Sequence, residues 1–138
     1  MIKVASELLT LYAERQELKR EPCPPDGAQM ADFARQFQYE PTVDQLRCFA
    51  EIEDDMCKSE RPMDRLVCGD VGFGKTEVAM RAIYRAVCSG KQVALLAPTT
   101  VLAAQHYRCL CARSEYSTPY DPVVPDPFFR WATADFPG

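Results

Sequence analysis

Eight consecutive residues carry the strongest chemical pattern in the sequence. Residues 69–76 read Gly-Asp-Val-Gly-Phe-Gly-Lys-Thr, which fits the spacing of a phosphate-binding loop at every fixed position. Glycines let the backbone turn tightly and bring successive N–H groups around an anionic triphosphate, and a following helix directs its positive end toward the same charge. The sequence therefore predicts a nucleoside triphosphate site formed by Gly69, Asp70, Val71, Gly72, Phe73, Gly74, Lys75 and Thr76.

Two side chains of this loop are predicted to act on the triphosphate directly. Lys75 carries an ammonium group that can reach the β- and γ-phosphates, and Thr76 offers a hydroxyl to Mg²⁺, which prefers oxygen ligands. Lys75 and Thr76 are therefore the predicted catalytic residues, and Thr76 is the predicted metal ligand. The alternative is a glycine-rich turn that fits the pattern by chance.

The flanking segments have the order that such a loop requires. Residues 65–68 form a short apolar run suited to a buried parallel strand, and residues 78–87 carry apolar side chains at helical spacing. Gly90 is placed to end that helix, and residues 92–97 form a second apolar run. We therefore predict an α/β fold with parallel strands and flanking helices, and this context favours nucleotide binding over a chance match.

Helical periodicity also marks segments on both sides of this unit. Residues 2 to about 20 and 26–37 are predicted to be helices, and Thr42 with Gln45 has the spacing of a capping box that starts a third helix. Thr100 is the predicted cap of a helix from 101 to about 112. Residues 114–138 contain five prolines and no periodic pattern, which predicts an irregular tail.

Composition sets broad limits on the class of protein. With 138 residues, 47% of them hydrophobic, the chain can form one modest domain with a core. Its net charge of −4 argues against a large basic surface for nucleic acid, but a motor can hold a DNA backbone with amides and hydroxyls. Seven cysteines without regular spacing predict reduced thiols. No apolar run approaches the ~20 residues that cross a bilayer, so no membrane partner is expected.

Longer motifs around the loop resemble a known family. The segments at 62–79, 90–94 and 98–106 closely resemble the bacterial transcription-repair coupling factors, and those at 11–15 and 39–45 favour them over the RecG branch-migration helicases. Both groups are superfamily-2 DNA translocases, and the resemblance spans about residues 6 to 112. It implies a connector helix and linker over 1–39, the first part of a RecA-like ATP-binding domain over 40–113, and the irregular tail over 114–138.

The resemblance also implies roles for individual residues. Gln45 is the glutamine expected to read the adenine edge, and Phe37 is a possible stacking partner for the base, so that the implied cofactors are ATP and Mg²⁺. Thr99 and Thr100 match a family segment that touches the DNA backbone. Read without the family, Gln45 only completes the capping box, Phe37 closes the core, and the threonine loop is a helix cap.

The implied partners are double-stranded DNA and, for a full-length family member, RNA polymerase. The expected compartment is a bacterial-like cytoplasm or the stroma of an organelle. A zinc site built from His106, Cys109 and Cys111 is disfavoured, because three ligands are too few for a closed structural site.

The chain departs from the family at the catalytic step. It contains no Asp-Glu dipeptide, in which superfamily-2 motors use the Asp to hold Mg²⁺ and the Glu to position the attacking water. A coupling motif, a second RecA-like domain and its arginine fingers are also missing. Two functions therefore stay open: an ATP-binding part of a DNA translocase, favoured by the resemblance, or a nucleotide-binding or interaction fragment without motor activity.

Overall fold

The computed structural model describes residues 2–69 and 74–115, and over these residues the regular structure is helical. The helices predicted from periodicity are confirmed, with ends that differ by a few residues. Among the described residues, no helix is both long and apolar enough to pass through a bilayer. The elements are α1 (Ile2–Glu17), α2 (Ala28–Arg35), α3 (Val43–Glu53) with a π-helical turn after it (Asp54–Lys58), α4 (Gly74–Cys88) and α5 (Thr100–Glu115).

The prediction of an α/β fold is wrong for the part of the chain that the structure describes. Residues 65–68 and 92–97, which we call the two apolar segments, form neither strand nor sheet. Leu66 is 87% exposed and Leu96 is 90% exposed. A strand requires a neighbouring strand to bond its N–H and C=O groups, and an apolar run in the sequence does not reveal whether that neighbour is in place.

Helix α4 lies at the centre of the packing, where it contacts α2 and α3. Met80 of α4 packs with Met30 and Phe33 of α2 and with Leu110 of α5 in one buried cluster. Tyr84 stacks on Phe33 with ring centroids 4.2 Å apart, and burial raises the pKa of Tyr84 to about 12. The cluster holds α2 and α5 against the helix that follows the phosphate loop.

Two helix ends confirm signals that were local in the sequence. At the start of α3, Thr42 Oγ1 accepts from the Gln45 N–H (3.3 Å) and Gln45 Oε1 accepts from the Thr42 N–H (2.8 Å), which completes the capping box. After α4, Gly90 has a φ of 74° and the Lys91 N–H donates to the Ala86 carbonyl at 3.0 Å. This left-handed turn favours glycine and ends the helix.

The segment between α1 and α2, residues 18–26, is held by hydrogen bonds rather than by regular structure, and we call it the N-terminal strap. Cys23 is buried, and its N–H donates to the Met56 carbonyl at 2.8 Å. Carbonyls at the end of a helix lack partners within the helix and need such donors. The guanidinium of Arg20 donates to four main-chain oxygens, those of Glu21, Asp55, Met56 and Arg61.

An ion pair between Asp26 and the buried Arg85 fixes the far end of the N-terminal strap. Two of the three guanidinium nitrogens of Arg85, Nε and Nη2, donate to the Asp26 carboxylate at 2.7 and 2.5 Å, and Arg85 is only 6% exposed. Burial opposes the charge on Arg85, but the hydrogen bonds and the negative charge of Asp26 raise its pKa above the ordinary value. The strap is therefore tied directly to α4.

Candidate nucleotide-binding site

The described part of the phosphate loop consists of Gly69 and the first turn of α4. That helix begins at Gly74, so Lys75 and Thr76 lie where main-chain N–H groups have no acceptor within the helix. The Lys75 side chain lies against Gly69, with its Cε 3.2 Å from the place that a β-carbon on Gly69 would take. The two ends of the loop are therefore in contact. The other loop residues lie outside the described part of the chain: Asp70, Val71, Gly72 and Phe73.

Gln45 reaches the same loop from α3. Its Nε2 atom occupies the space that a β-carbon on Gly74 would need, so only glycine at position 74 permits this approach without displacing Gln45. The sequence left open whether Gln45 completes a capping box or reads adenine. The capping box is present, and it holds the Gln45 side chain against the start of α4.

The two roles of Gln45 are chemically compatible. A carboxamide oxygen has two lone pairs and its nitrogen has two hydrogens, and the capping box uses only one of these lone pairs. The second lone pair and one N–H match the amino group and N7 of adenine. Guanine presents a carbonyl oxygen where adenine has the amino group, so only the contact with N7 would remain. Gln45 can thus favour adenine without leaving the cap.

Phe37, the predicted stacking partner of the base, follows the end of α2 and is half-buried. Its ring meets Tyr39 edge-on, with centroids 5.7 Å apart and an angle of 65° between the planes. The buried cluster around Met80 does not include Phe37. An edge contact leaves a ring face for stacking on a base, and the contact between Phe37 and a nucleotide stays a prediction.

A cavity of about 270 Å³ lies beside Lys75 and Thr76. Its other lining residues are largely apolar and include Leu95 of the second apolar segment, and His106 of α5 also faces it. His106 is one of the three residues of the disfavoured zinc site. Among the side chains that the structure describes, no three metal-binding groups come together, and the side chain of Cys111 lies outside them.

The two threonines predicted to contact DNA lie at the start of α5, and both are exposed. Helix α5 begins at Thr100, and Thr99 Oγ1 accepts from the Leu102 N–H at 3.2 Å. The cap is therefore Thr99, and the prediction of Thr100 as the cap was wrong by one residue. The hydroxyl of Thr99 can still donate its own hydrogen, and a contact of either threonine with DNA stays a prediction.

Sequence reasoning missed a buried charge close to the loop. Glu77 of α4 is 3% exposed and accepts hydrogen bonds from Arg81 Nε at 2.9 Å and from Arg113 Nη2 at 3.1 Å. The spacing of four between Glu77 and Arg81 is common for pairs on a helix surface, so it did not indicate burial. Arg113 comes from α5, and no local pattern connects it with Glu77.

Comparison with known proteins defines the class. The sequence pattern of the DEAD/DEAH box helicases matches residues 42–123, more than half of the chain, and the chain belongs to that family. Within it, the chain is 54% identical over 110 residues to the transcription-repair-coupling factor of Bacillus subtilis, and 54% identical over 112 residues to that of Staphylococcus aureus strain USA300. It is 53% identical over 111 residues to a chloroplastic ATP-dependent DNA helicase of Arabidopsis thaliana. The resemblance seen in the sequence is confirmed.

These alignments cover most of this chain but little of each relative. They include 80% of the chain for the Bacillus and Arabidopsis proteins and 81% for the Staphylococcus protein. They include only 9%, 13% and 10% of the lengths of those relatives, respectively. The division of the chain at residues 39 and 113 stays a prediction.

Proposed function

We propose that this chain is an ATP-binding part of a DNA translocase and that residues 69–76 hold the triphosphate of Mg·ATP. The observation that carries the proposal is a pair of contacts at the start of α4: Lys75 lies over Gly69, and Gln45 lies against Gly74. In this proposal Lys75 contacts the β- and γ-phosphates, Thr76 is a ligand of Mg²⁺, and Gln45 contacts the adenine that stacks on Phe37. Membership of the helicase family supports the proposal.

The physical basis of binding is the concentration of donors at one point. The first N–H groups of a helix point out of its N-terminal end and carry a partial positive charge, which favours the binding of an anion there. Lys75 adds a full positive charge that is held close to the glycine at the other end of the loop. A triphosphate in this place would receive hydrogen bonds from the backbone and from a charged side chain together.

The test of the proposal is the affinity of the purified chain for Mg·ATP, measured by calorimetry. Replacing Lys75 with alanine removes charge-assisted hydrogen bonds worth roughly 1.5–3 kcal/mol, so Lys75→Ala should bind at least about ten-fold more weakly. Lys3→Ala is the matched control, because Lys3 lies on α1 and is exposed. Equal affinity of wild type and Lys75→Ala would contradict the assignment.

Base recognition by Gln45 can be separated from its capping role. Gln45→Glu keeps an oxygen that accepts from the Thr42 N–H, but it removes the N–H that would donate to N7 of the base. We expect Gln45→Glu to retain its thermal midpoint and to lose the preference for ATP over GTP. Gln45→Ala should lose that preference and about 1 kcal/mol of stability. A preference that survives in both variants would rule out the adenine contact.

Binding by these 138 residues should not lead to rapid turnover. In-line attack on the γ-phosphate needs a positioned water, and the sequence has no Asp followed directly by Glu to hold one. Contacts of Thr99 and Thr100 with a DNA backbone are too few for firm binding at physiological salt. The expected lack of turnover can be tested by measuring phosphate release with and without duplex DNA, with Lys75→Ala as the blank. A DNA-stimulated rate that depends on Lys75 would show that the chain does turn over ATP.

The wider partners and the compartment rest on the relatives. The names of the bacterial relatives refer to the coupling of transcription and repair, which supports double-stranded DNA as a partner and RNA polymerase as a second one. Bacterial relatives together with a chloroplastic one support a bacterial-like cytoplasm or a plastid stroma. A nucleotide-binding or interaction fragment without motor activity is the alternative, and phosphate release that depends on both DNA and Lys75 would exclude it.

A further inference from the structure

A single carboxylate lies at the junction of four helices. Glu77 is 3% exposed and is held between the guanidinium groups of Arg81 and Arg113, whose side chains are 15% and 16% exposed. A carboxylate at this depth is strongly unfavourable unless opposite charges and hydrogen bonds compensate it. The two arginines supply both, so the position of Glu77 depends on where they are held.

Each arginine is in turn fixed by a different helix. Arg81 lies over the ring of Phe49 in α3, with its guanidinium carbon 3.8 Å from the ring centroid. Arg113 of α5 lies over the ring of Phe33 in α2 at 4.3 Å, and it donates to the Phe33 carbonyl at 2.9 Å. Cation–π contacts and charged hydrogen bonds restrain both guanidinium groups. Through them Glu77 connects α4 to α2, α3 and α5.

The place of Glu77 in α4 relates this junction to the loop. Successive residues of a helix are turned by about 100°, so Glu77 points roughly opposite to Lys75, two residues earlier. Lys75 and Thr76 line the cavity beside the loop, whereas Glu77 faces the other helices. Glu77 is therefore turned away from the side of α4 that Lys75 occupies, and it belongs to the same helical turn as Lys75 and Thr76.

We propose that Glu77 is a positioning residue for nucleotide binding: its buried carboxylate, held by Arg81 and Arg113, sets the orientation of Lys75 and Thr76. This rests on the proposed function of residues 69–76 as the ATP site. Binding groups need to be held within about 0.5 Å and 10–20° of their working geometry. A turn of α4 that is free to rotate would present the same groups with poorer alignment.

The test compares nucleotide affinity with stability in matched variants. Glu77→Gln keeps the size of the side chain and removes its charge, and we expect the Kd for Mg·ATP to rise by about ten-fold. The Kd for Mg·GTP should rise by the same factor, because the triphosphate is common to both. Glu51→Gln is the control, since Glu51 pairs with Arg65 at 2.6 Å on an exposed part of α3, and its Kd should match the wild type.

A second variant covers the case in which Glu77→Gln does not fold. Arg113→Lys keeps a positive charge near Glu77 but loses the flat group that lies on Phe33, and we expect its Kd to rise by about three-fold. A purely structural role would lower the thermal midpoint of the folded variants and leave both affinities unchanged at low temperature. That result in Glu77→Gln, or in Arg113→Lys if only this variant folds, would overturn the inference.

The experiments distinguish failure of the proposed ATP site from failure of the proposed role of Glu77. If the wild type binds Mg·ATP and Lys75→Ala does not, the site is in place and the Glu77 series decides the positioning role. If the wild type and Lys75→Ala bind equally weakly, the proposed function and the inference that rests on it are both wrong.

Discussion

The N-terminal strap and the two apolar segments contrast in a way that their compositions do not suggest. The strap contains prolines and charged residues, yet Arg20, Cys23 and Asp26 all fix it to the rest of the chain. The apolar segments have the composition of buried strands, yet Leu66 and Leu96 stand in solvent.

The difference lies in what each segment needs in order to become ordered. The strap supplies its own charged donors and acceptors and finds carbonyls at a helix end, so a few directional bonds are enough to hold it. An apolar segment gains order only when a second surface covers it and a neighbouring strand bonds its backbone. The composition of a segment shows which contacts its residues can make. Whether those contacts form depends on the other segments that lie next to it.

The largest effect that this contrast predicts is at Asp26. Asp26→Ala leaves the buried Arg85 guanidinium without its carboxylate. An unpartnered buried donor with a charge costs about 3 kcal/mol. Urea unfolding measures this loss. Asp32→Ala is the control, because the pair of Asp32 with Arg35 is exposed and should contribute less than about 1 kcal/mol. Equal losses in the two variants would mean that the strap is not held through Asp26.

A smaller effect is expected at Arg20. Arg20→Met keeps much of the side-chain volume and removes the hydrogen bonds to main-chain carbonyls, so we expect a loss of about 2 kcal/mol. Cys23 should also react faster with a thiol reagent, because its burial depends on the strap, and peptide mass spectrometry can follow its labelling. Lys19→Met, which removes an exposed pair with Glu60, should change neither quantity appreciably. An unchanged labelling rate of Cys23 in Arg20→Met would contradict this role.

The smallest effect is expected in the apolar segments. Leu96→Ser replaces a side chain that is already 90% exposed, so the free energy of unfolding should change by no more than about 0.5 kcal/mol. Met80→Ala, in the buried cluster, should cost about 2–5 kcal/mol by comparison. Thermal unfolding of both variants tests the contrast, and a loss at Leu96 as large as that at Met80 would show that this segment is buried.

Features that could be predicted from the sequence are those formed by near neighbours. Thr42 and Gln45 are three residues apart, so the capping box could be predicted. Gly90 lies in the turn that it permits, so the end of α4 could be predicted as well. The cap of α5 was misplaced by one residue because Thr99 and Thr100 offer the same hydroxyl. The phosphate-loop residues were identified by spacing alone, without the contacts that arrange them.

Features that could not be predicted join distant parts of the chain. The ion pair of Asp26 with Arg85 spans 59 residues, and that of Glu77 with Arg113 spans 36. A charged side chain that is buried must be held by opposite charges and hydrogen bonds, whereas an exposed one is solvated. Which charges are buried depends on how the helices pack, and the sequence pattern does not show this. The prediction of strands at 65–68 and 92–97 was wrong for the same reason. The sequence of an apolar segment does not show whether another segment lies beside it to form a sheet.

Helix α1 extends from the N-terminal strap as an exposed arm. Every residue of α1 is exposed, and its attachment lies at the C-terminal end, where Arg15 faces Asp64 at 3.9 Å and the strap begins. At 1.5 Å per residue its 16 residues form an arm about 24 Å long. A rotation of only about 10° at the strap would carry the N-terminal end of this arm through about 4 Å. Any small adjustment around Arg20 would thereby produce a larger displacement at Ile2.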